Sequence, residues 1–599
     1  MHVCLSNTSA SRWQRHATVD GNVFGGGNES PSRSNTEVII KGDVEVTKDV
    51  FGGGNIANVD GSTTVGIQGG TVLTDVYGGG ALANTGNTTV NLSGGTIVHD
   101  VYGGGLGQKT GFFDATSDVE ALVNGNTLVE LNKNTATDNC VVMGSIFGCN
   151  NRNGTPTGTV LVHVYKTAGN GSTNVRTPSD KLFSPTAADH KYELMAVYGG
   201  GNMSAYQPTA SDGFSEVIID GCDLSSIEYV YGGGNAASVP ATRVTLNGAY
   251  EIGSVFGGGN GKDALPNGTP NPGANVGYYA DGITAYGTGL ALVNAFGGLL
   301  HSVFGGSNTL GNVRTESVVF LDEASDCPLH LGEVYGGGNE APIAGNIQIK
   351  LGCITSLSEI YGGARLANVG SADKNCDVVL SITSGRFDRV FGGNNVNGDL
   401  KGTITVNVEE TGCHPIIIGQ LYGGGNLAPY KAPDGAAGPT LNVRSFTSIG
   451  DIYGGGYGAS AIVTGDTYVN IDECLGVNHS SEVSETAAHT GKNIDIVVGE
   501  DGSGTPITES VFQPAHTVGA IGSINNVYGG GNAAKVTGST HVNIGTKTGE
   551  DIVFVTPETA TAADRTKTVV GANITGNVFG GGNQADVTGK TNVKIGKEN

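Results

Sequence analysis

The sequence lacks the patterns that mark most membrane, metal-binding and nucleotide-binding proteins. No window holds 18 consecutive apolar residues, so no transmembrane helix is predicted. None of the nine cysteines forms a C-x-x-C pair, so the common metal-ligand and redox motifs are absent from the sequence. The phosphate-binding pattern G-x-x-x-x-G-K-[ST] is absent, and a G-x-G-x-x-G match carries no weight in a chain this rich in glycine.

The N-terminus also lacks a charged segment followed by an apolar one, the pattern of a secretory signal. Two explanations are open. Either the export signal is missing from this piece of the protein, or the protein stays inside the cell. We favour a fragment.

Charge is scarce and mostly negative. Asp, Glu, Lys and Arg make up 14% of the chain, and 31 basic against 55 acidic residues give a net charge of −24. Nucleic acid and anionic membranes repel such a surface, so we predict neither nucleic-acid binding nor membrane insertion. The simplest role of this charge is to keep the protein soluble.

The cysteines are scattered along the chain, and several lie near predicted strands or turns. This placement favours small buried thiols, while one or two extracellular disulfides stay open. The nine positions are Cys4, Cys140, Cys149, Cys222, Cys327, Cys353, Cys376, Cys413 and Cys474.

Glycine, in contrast, is abundant, with 102 of 599 residues against a usual share of roughly 7 %. The glycines come in runs of two or three and prolines are few, which excludes collagen. Apolar and β-branched residues recur in register, which argues against disorder.

These glycines belong to a repeat, Φ-x-x-Val-Tyr/Phe-Gly-Gly-Gly-Asn, where Φ is apolar. It reads without change at 331–339 and 524–532. An aromatic residue followed by paired glycines recurs at Phe24, Phe51, Tyr77, Tyr102, Tyr198, Tyr231, Phe256, Phe304, Tyr335, Tyr361, Phe391, Tyr422, Tyr453, Tyr528 and Phe579. Self-similarity of this kind is typical of stacked-repeat proteins.

Between the glycine runs, small and apolar residues occupy every second position, as from Asn55 to Ile67. Period two predicts strands with one buried face, and the recurring Gly61 is a natural place to bend. Gly69 and Gly70 predict a second turn. Each repeat of 25 to 31 residues therefore makes about three short strands and three corners. We predict an all-β fold, a parallel β-helix (β-solenoid) of about 16 stacked three-strand coils with loop insertions.

The spacing of the aromatics predicts the organisation along the chain. Residues 1–22 are irregular, 23–105 form regular coils, 106–303 form coils with long insertions, 304–456 form regular coils, 457–523 are an insertion, and 524–599 are C-terminal coils with an insertion at 545–577.

The repeated residues predict structural ladders. Glycine would supply a corner conformation that other residues cannot adopt, and asparagine would cap that corner and bond to its neighbours above and below. The ladder residues are Tyr77, Tyr102, Tyr231, Tyr335, Tyr528, Phe579, Asn55, Asn235, Asn339, Asn532 and Asn583. Two alternatives stay open: a flat glycine stripe that lets a chain or sugar approach, and an exposed aromatic platform for carbohydrate.

No catalytic, cofactor or metal residues are predicted, and we do not predict an enzyme. The longest insertion holds carboxylates and histidines without metal spacing, which we interpret as a solvated loop. They are Asp472, Glu473, Asp495, Glu500, Asp501, His479 and His489.

The chain resembles the large glycine-rich repeat proteins of gut Bacteroidetes-type bacteria, which carry tandem Val-Tyr/Phe-Gly-Gly-Gly-Asn units like those at 527–532 and 578–583. The resemblance covers 23–596. It implies an exported, cell-surface or extracellular β-solenoid of the adhesin or filament type, and it transfers no catalytic residue.

Our leading hypothesis is a non-catalytic structural or adhesive solenoid that assembles end to end, because the last residues stop within a coil and leave strand edges open. A chain cut from a longer protein is the competing explanation. The alternative functions are a β-helix that degrades polysaccharide, by analogy of fold alone, and one that binds glycans through loop residues Tyr278, Tyr279 or Tyr430. Other surface proteins are further candidate partners.

Overall fold

The computed structural model describes most of the chain, and its regular secondary structure is all β. The described residues are 2–7, 17–167, 192–262, 265, 268, 271, 273–324, 326–371, 373–410, 414–474, 488–489, 492–500, 506–513, 516–517, 522–547, 569–571 and 573–597. They contain strands and turns but no helix. They fall into two compact units: the first runs up to His301 and includes Gly306–Thr315, and the second holds Ser302–Gly305 and the described residues from Glu316 onward.

Two parallel sheets run through the first unit. We call the sheet with the longer strands the long sheet and the sheet that carries the repeated aromatics the aromatic sheet. The long sheet contains His2–Asn7, Ala17–Val19, Thr36–Gly42, Val44–Val46, Thr63–Val72, Thr88–Ile97, Thr127–Leu131, Val141–Val142, Val160–Val164, Ser215–Ile219, Thr242–Leu246 and Leu290–Ala295. The aromatic sheet contains Val23–Phe24, Val50–Phe51, Val76–Tyr77, Val101–Tyr102, Ser145–Phe147, Leu194–Tyr198, Ser226–Tyr231 and Glu251–Phe256. The strand Gly298–Phe304 contributes residues to both units.

The second unit repeats this arrangement. Its long-sheet strands are Glu316–Leu321, Asn346–Leu351, Val378–Ile382, Ile404–Glu409, Thr440–Ser445, Thr467–Ile471, Thr540–Ile544 and Thr591–Ile595. Its aromatic-sheet strands are Leu329–Tyr335, Ser356–Tyr361, Arg386–Phe391, Ile417–Tyr422, Ser448–Tyr453, Ser523–Tyr528, Asn573–Ile574 and Val578–Phe579. Small pairs lie outside these sheets: Tyr430–Lys431 with Val463–Thr464 is parallel, while Glu473–Cys474 with Val569–Gly571, Ala488–His489 with His516–Thr517, and Lys492–Glu500 with Pro506–Gln513 are antiparallel.

Equivalent strands of successive repeats pair in parallel and in register. Thr63 pairs with Thr36 on one side and with Thr88 on the other, and Val76–Tyr77 lies between Val50–Phe51 and Val101–Tyr102. Parallel pairing of residues one repeat apart is the hydrogen-bond pattern of a coil that stacks on itself. The all-β, parallel β-helix prediction is therefore confirmed.

A third, narrow side closes each coil between the two sheets. Here successive coils meet through single parallel bridges rather than full strands, as at Ile343, Val369 and Leu400. Along the chain, this side begins after the Gly-Gly-Gly-Asn run and ends at a glycine just before the long-sheet strand. Gly61, where we predicted a bend, is such a glycine, because the strand Thr63–Val72 begins two residues later. The second predicted turn differs: Thr63–Val72 continues through Gly69 and Gly70 as one strand whose register shifts there, with Gly70 at a φ of 75°.

The interior is filled by the alternating apolar residues. Val65 and Ile67 are fully buried, as are Val38 and Ile40 in the coil below. The first inward residue of these long-sheet strands is often threonine, and its hydroxyl donates to a glycine carbonyl of the aromatic sheet, as Thr63 does to Gly78. Where this bond forms, the polar group of the row is satisfied inside the coil.

The predicted boundaries can be compared with the structure only in part. Two strands, His2–Asn7 and Ala17–Val19, lie in the region 1–22 that we predicted to be irregular, and they pair with Glu37–Gly42 and Val44–Val46. Much of the predicted insertions at 457–523 and 545–577, and part of 106–303, lies outside the described residues.

Candidate functional site

The structure places the repeated aromatic rings in a stacked row. Tyr77 lies 4.9 Å from Tyr102 between ring centroids, at an interplanar angle of 8°, and Tyr335 lies 4.9 Å from Tyr361 at 6°. This distance equals the strand spacing of roughly 4.8 Å, because the rings follow parallel strands in register. The other predicted members stack in the same way within their own units: Tyr231 stacks on Tyr198 and Phe256, and Tyr528 stacks on Tyr453 and Phe579.

The tyrosine hydroxyls have partners that the sequence reasoning missed. Tyr77 donates to Asp75 at 2.9 Å, and Tyr335 donates to Glu333 at 3.0 Å. The sequence signal for this contact is an acidic or amide side chain two residues before the tyrosine. Other examples are Asp100, Glu359 and Gln420. Asparagines from other coils also donate to these hydroxyl oxygens, as Asn395 does to Tyr335 at 2.7 Å.

We expect Tyr335→Phe to lower the free energy of unfolding by about 1 to 2 kcal/mol, because Asn395 and Glu333 both lose a buried partner. Tyr528→Phe is the matched control. Its ring stacks equally well, but no hydrogen bond to its hydroxyl occurs among the described residues, so a change below about 0.5 kcal/mol is expected. Chemical denaturation of both variants measures the difference. Equal effects would show that the hydroxyl contributes nothing.

The asparagines that follow the glycines form a chain of side-chain amides. Asn55 donates to Asn28 at 2.7 Å, and Asn235 donates to Asn202 at 2.9 Å. Asn583 donates to Asn532 at 2.9 Å. Asn339 instead accepts from the guanidinium of Arg365 at 3.2 Å. Each amide in such a chain donates to the coil before it and can accept from the coil after it, which ties neighbouring coils together along one line.

The glycine runs have a different cause from the one predicted. None of Gly52, Gly53 and Gly54 has a positive φ, so the corner-conformation explanation is wrong. Instead the next coil lies too close for a side chain. A Cβ at Gly53 would lie 2.7 Å from the backbone of Gly80, and one at Gly52 would lie 2.4 Å from the carbonyl oxygen of Gly78. Close approach of two backbones is the reason for glycine here.

The carboxylates at the start of the longest insertion are not in a solvated loop. Asp472 is 3% and Glu473 is 1% exposed, so that prediction is wrong for both. Asp495 and Glu500 lie in the strand Lys492–Glu500, and His489 lies in the strand Ala488–His489. Asp501 and His479 lie outside the described residues.

A second buried carboxyl, Glu410, is 2% exposed and near enough to act electrostatically on Glu473. Glu410 accepts from the Ile416 N–H at 3.2 Å and from the Thr447 hydroxyl at 3.3 Å. Glu473 accepts from the Gly522 N–H. Burial raises the pKa of Glu410 to about 8. Burial, with the nearby Glu410 charge, raises the pKa of Glu473 to about 9. Groups this enclosed cannot reach a polysaccharide, so we interpret them as part of the coil interior.

Of the three loop tyrosines proposed for glycan binding, one is misplaced. Tyr430 is 3% exposed, and its hydroxyl donates to the Gly402 carbonyl at 2.9 Å. Tyr279 is 38% exposed, with its ring centroid 4.3 Å from that of Tyr286, and Tyr278 is half-buried.

A cavity of about 250 Å³ opens on the narrow side of the first unit. We call it the Arg152 pocket. Its lining residues come from five segments that no sequence motif connects: Lys109, Phe112, Arg152, Asn153, Met203, Ser204, Ala205, Ala236, Ala237, Ser238, Leu265, Gly273, Asn275, Ala280 and Gly282.

The cysteines divide into two groups. Cys140, Cys149 and Cys376 are buried free thiols, and burial raises the pKa of Cys140 to about 12. Cys222, Cys327 and Cys353 are disulfide-bonded. Cys413 lies outside the described residues.

Among the described residues, no three His, Cys, Asp or Glu side chains gather in a way that suits a metal ion, and no helix is long and apolar enough to span a bilayer. No protein-family model, curated protein or solved structure matches the chain at a significant level.

Proposed function

We propose that this chain is a non-catalytic structural or adhesive β-solenoid that assembles end to end, at the cell surface or outside the cell. The observation that carries the proposal is that described coils stack on one another through the same parallel strands, rings and asparagines, as in the pairs Val527 and Val578, Tyr528 and Phe579, and Asn532 and Asn583. The face formed by Val578–Phe579 and Thr591–Ile595 presents the same kinds of group. Val593 is 43% and Ile595 is 69% exposed there, although Val542 and Ile544, the same positions one coil earlier, are 0% and 5% exposed. The Phe579 ring is also 42% exposed.

The coil that contains Val23–Phe24 offers a partner for the exposed Phe579 ring. The first aromatic-sheet strand carries the hexapeptide 23–28, Val-Phe-Gly-Gly-Gly-Asn, which is identical to 578–583. Phe24 stacks on Phe51 on one side only among the described residues. If the Phe24 face packed against the Phe579 face of a second copy, Phe24 would stack on Phe579 and Asn28 would lie beside Asn583. Both ladders would then continue from one copy to the next.

Such a contact joins two different faces of the protein. A head-to-tail contact that does not close into a ring generates an open filament. Exposed edges of parallel strands favour the same outcome, since their N–H and C=O groups template a further strand. The same face would also accept a further coil of a longer polypeptide, so the chain must be tested by itself.

Location outside the cell has separate support. Disulfide bonds at Cys222, Cys327 and Cys353 are typical of oxidising compartments and rare in the cytosol. Glycine-rich ladders without a chemical site among the described residues favour a structural role over an enzymatic one.

We expect the purified chain to form unbranched fibres that lengthen with concentration, measured by negative-stain electron microscopy and sedimentation. Gly581→Ala should block this growth without destabilising the chain. A Cβ at Gly581 meets nothing within 4 Å, whereas one at the equivalent Gly530 lies 2.8 Å from the Gly582 nitrogen. The added methyl group would therefore clash only when another coil seats on this face.

Gly66→Ala is the control for the assembly experiment. A Cβ there makes only ordinary contacts, the nearest at 3.7 Å, and the residue lies in neither end coil, so fibres should form as before. Single particles at every concentration, or equal fibre growth by Gly581→Ala, would contradict the proposal.

The polysaccharide-binding alternative is favoured by one observation, the Arg152 pocket.

A further inference from the structure

The Arg152 pocket lies beside the asparagine ladder. In three successive coils, the residue directly after the ladder asparagine lines the pocket: Arg152, Met203 and Ala236. Backbone hydrogen bonds join these coils, because the Met203 N–H donates to the Asn151 carbonyl and the Ala236 N–H donates to the Asn202 carbonyl. An arginine therefore stands where the next two coils carry apolar side chains. Arg152 and these apolar side chains line the same cavity.

The guanidinium of Arg152 is held by an aromatic ring rather than by an acid. Its central carbon lies 3.7 Å from the centroid of Phe113. Phe113 and Asp114 have φ values of 50° and 60°, a conformation that is strained for such residues. The Arg152 Nε is buried and has no hydrogen-bond partner among the described residues. No ion pair of Arg152 occurs there either, in a chain with a net charge of −24.

The other polar groups in the lining are mainly donors. The Asn275 side-chain oxygen accepts from the Asn312 N–H at 2.9 Å, and its Nδ2 would lie 3.0 Å from a Cβ on Gly282, so the amide hydrogens point toward the lining at Gly282. The Ser238 hydroxyl has no protein partner among the described residues. Lys109, at the rim, pairs with Asp118 at 3.1 Å.

Among the described residues, no carboxylate lines the cavity. Asp281 is adjacent in sequence to two lining residues, but its carboxylate accepts from the Ile283 and Thr284 N–H groups of its own turn. The pocket therefore combines one cation without an ion-pair partner among the described residues, an amide donor and a hydroxyl with apolar walls from Phe112, Met203 and the alanines. This set of groups favours a ligand that carries an anion on a compact, partly apolar body.

We propose that the Arg152 pocket binds a single carboxylate-bearing sugar unit, such as a uronic acid residue of an acidic polysaccharide. The cavity is smaller than the roughly 300–1,000 Å³ of sites for drug-sized ligands, which limits the occupant to about one ring. Arginine pairs with a carboxylate through two parallel hydrogen bonds. The C–H face of the sugar would pack on Phe112 and Met203, while Asn275 and Ser238 would bond to its oxygens.

The inference extends the glycan-binding alternative and is independent of end-to-end assembly. Arg152 and Asn275 belong to neither end coil, so a failure of binding leaves the filament proposal standing. Conversely, binding by a chain that never forms fibres would leave this site intact.

The test is calorimetric titration of the full chain with glucuronic acid or galacturonic acid oligosaccharides, with glucose oligosaccharides as the neutral probe. We expect binding of the acidic sugars only, weakened by added salt because the attraction is ionic. Arg152→Gln should weaken binding at least about tenfold. Asn275→Asp keeps the acceptor for the Asn312 N–H but places a negative charge in the pocket, and should also abolish binding.

Arg243→Gln is the matched control. Its guanidinium also lies over an aromatic ring, Phe214 at 4.2 Å, but it pairs with Glu216 and lies outside the pocket, so affinity should not change. Thermal unfolding of each variant checks that the fold is retained. Equal affinity for neutral and acidic sugars, or unchanged affinity in Arg152→Gln, would overturn the proposal. Inorganic phosphate or sulfate competing as well as the sugar would overturn the sugar assignment in favour of a simple anion site.

Discussion

Replacing Gly530 by alanine is expected to lower the free energy of unfolding of the second unit by about 2 to 4 kcal/mol. A Cβ there would lie 2.8 Å from the Gly582 nitrogen, 2.9 Å from its Cα and 2.9 Å from a methyl carbon of Val587. Two of these three atoms belong to the backbone of the next coil, so no side-chain rotation relieves the clash. The coils would have to separate locally.

Separation is opposed by the hydrogen bonds on either side. Gly529 donates to the Phe579 carbonyl at 2.8 Å, and Gly530 donates to the Gly581 carbonyl at 3.0 Å. The variant therefore either keeps a sub-van-der-Waals contact or weakens these bonds, and both outcomes reduce stability.

Denaturant unfolding monitored by circular dichroism measures the effect, and hydrogen exchange at these two coils locates it, because a stacked-repeat protein can open locally before it unfolds globally. Gly581→Ala, at the same motif position with open space around it, is the control and should change the free energy of unfolding by less than about 0.5 kcal/mol. A Gly530→Ala variant as stable as this control would show that the coils can move apart without loss.

The fold was predictable because every repeat carries the same information. Period-two alternation from Asn55 to Ile67 indicates a half-buried strand, and its return near Asn532 and Asn583 indicates that one coil stacks on another. Parallel pairing in register follows from this repetition, since identical residues must lie one above the other. Few folds impose so regular a pattern on the chain.

The reason for the glycines was harder to predict. A run of glycines is compatible both with unusual dihedral angles and with close approach of two backbones, and only the distance from Gly53 to Gly80 separates these causes. The partners of the tyrosine hydroxyls were missed for a related reason. The partner at Asp75 or Glu333 becomes visible only when residues two apart are considered together.

The Arg152 pocket was not predicted, because its lining comes from segments as far apart as Lys109 and Gly282, brought together by stacking. The available signal was a charge at a position that is apolar in the next two coils, at Met203 and Ala236. Glu473 was misassigned to a solvated loop because the insertion after it obscures where the coil ends. Counting from Thr467, the first inward residue of its strand, shows that the strand Thr467–Ile471 ends only two residues before it.

That buried position leads to the second large effect, a loss of stability as pH rises. Glu410 and Glu473 have pKa values of about 8 and about 9 in the folded protein, against an ordinary value of 4.5. Around them, Glu409 pairs with Arg444 at 3.4 Å, and Asp472 accepts from the Thr546 and Lys547 N–H groups. No cation is paired with Glu473 among the described residues.

The sign follows from proton linkage. A carboxyl whose folded pKa is raised holds its proton in the folded state when the unfolded state has lost it, so its contribution to stability is fully present below about pH 4.5 and falls until the pH passes the folded pKa. The free energy of unfolding of the second unit should therefore decline between about pH 5 and pH 9. The expected slope is on the order of 1 kcal/mol per pH unit for each carboxyl.

Glu473→Gln tests this directly, because the amide keeps an oxygen for the Gly522 N–H and cannot ionise. We expect it to raise the free energy of unfolding at pH 8 by about 1 to 3 kcal/mol and to flatten the pH dependence, with little change at pH 5. Glu409→Gln, at the end of the strand Ile404–Glu409, should have the opposite effect at neutral pH, roughly 3 kcal/mol of destabilisation, because it leaves the Arg444 guanidinium without its carboxylate. Urea titrations at pH 5, 7 and 9 compare the three proteins. A Glu473→Gln variant that keeps the parental slope would show that this carboxyl is hydrated and ionised in the fold, because only a group that stays protonated through neutral pH links stability to pH in this direction.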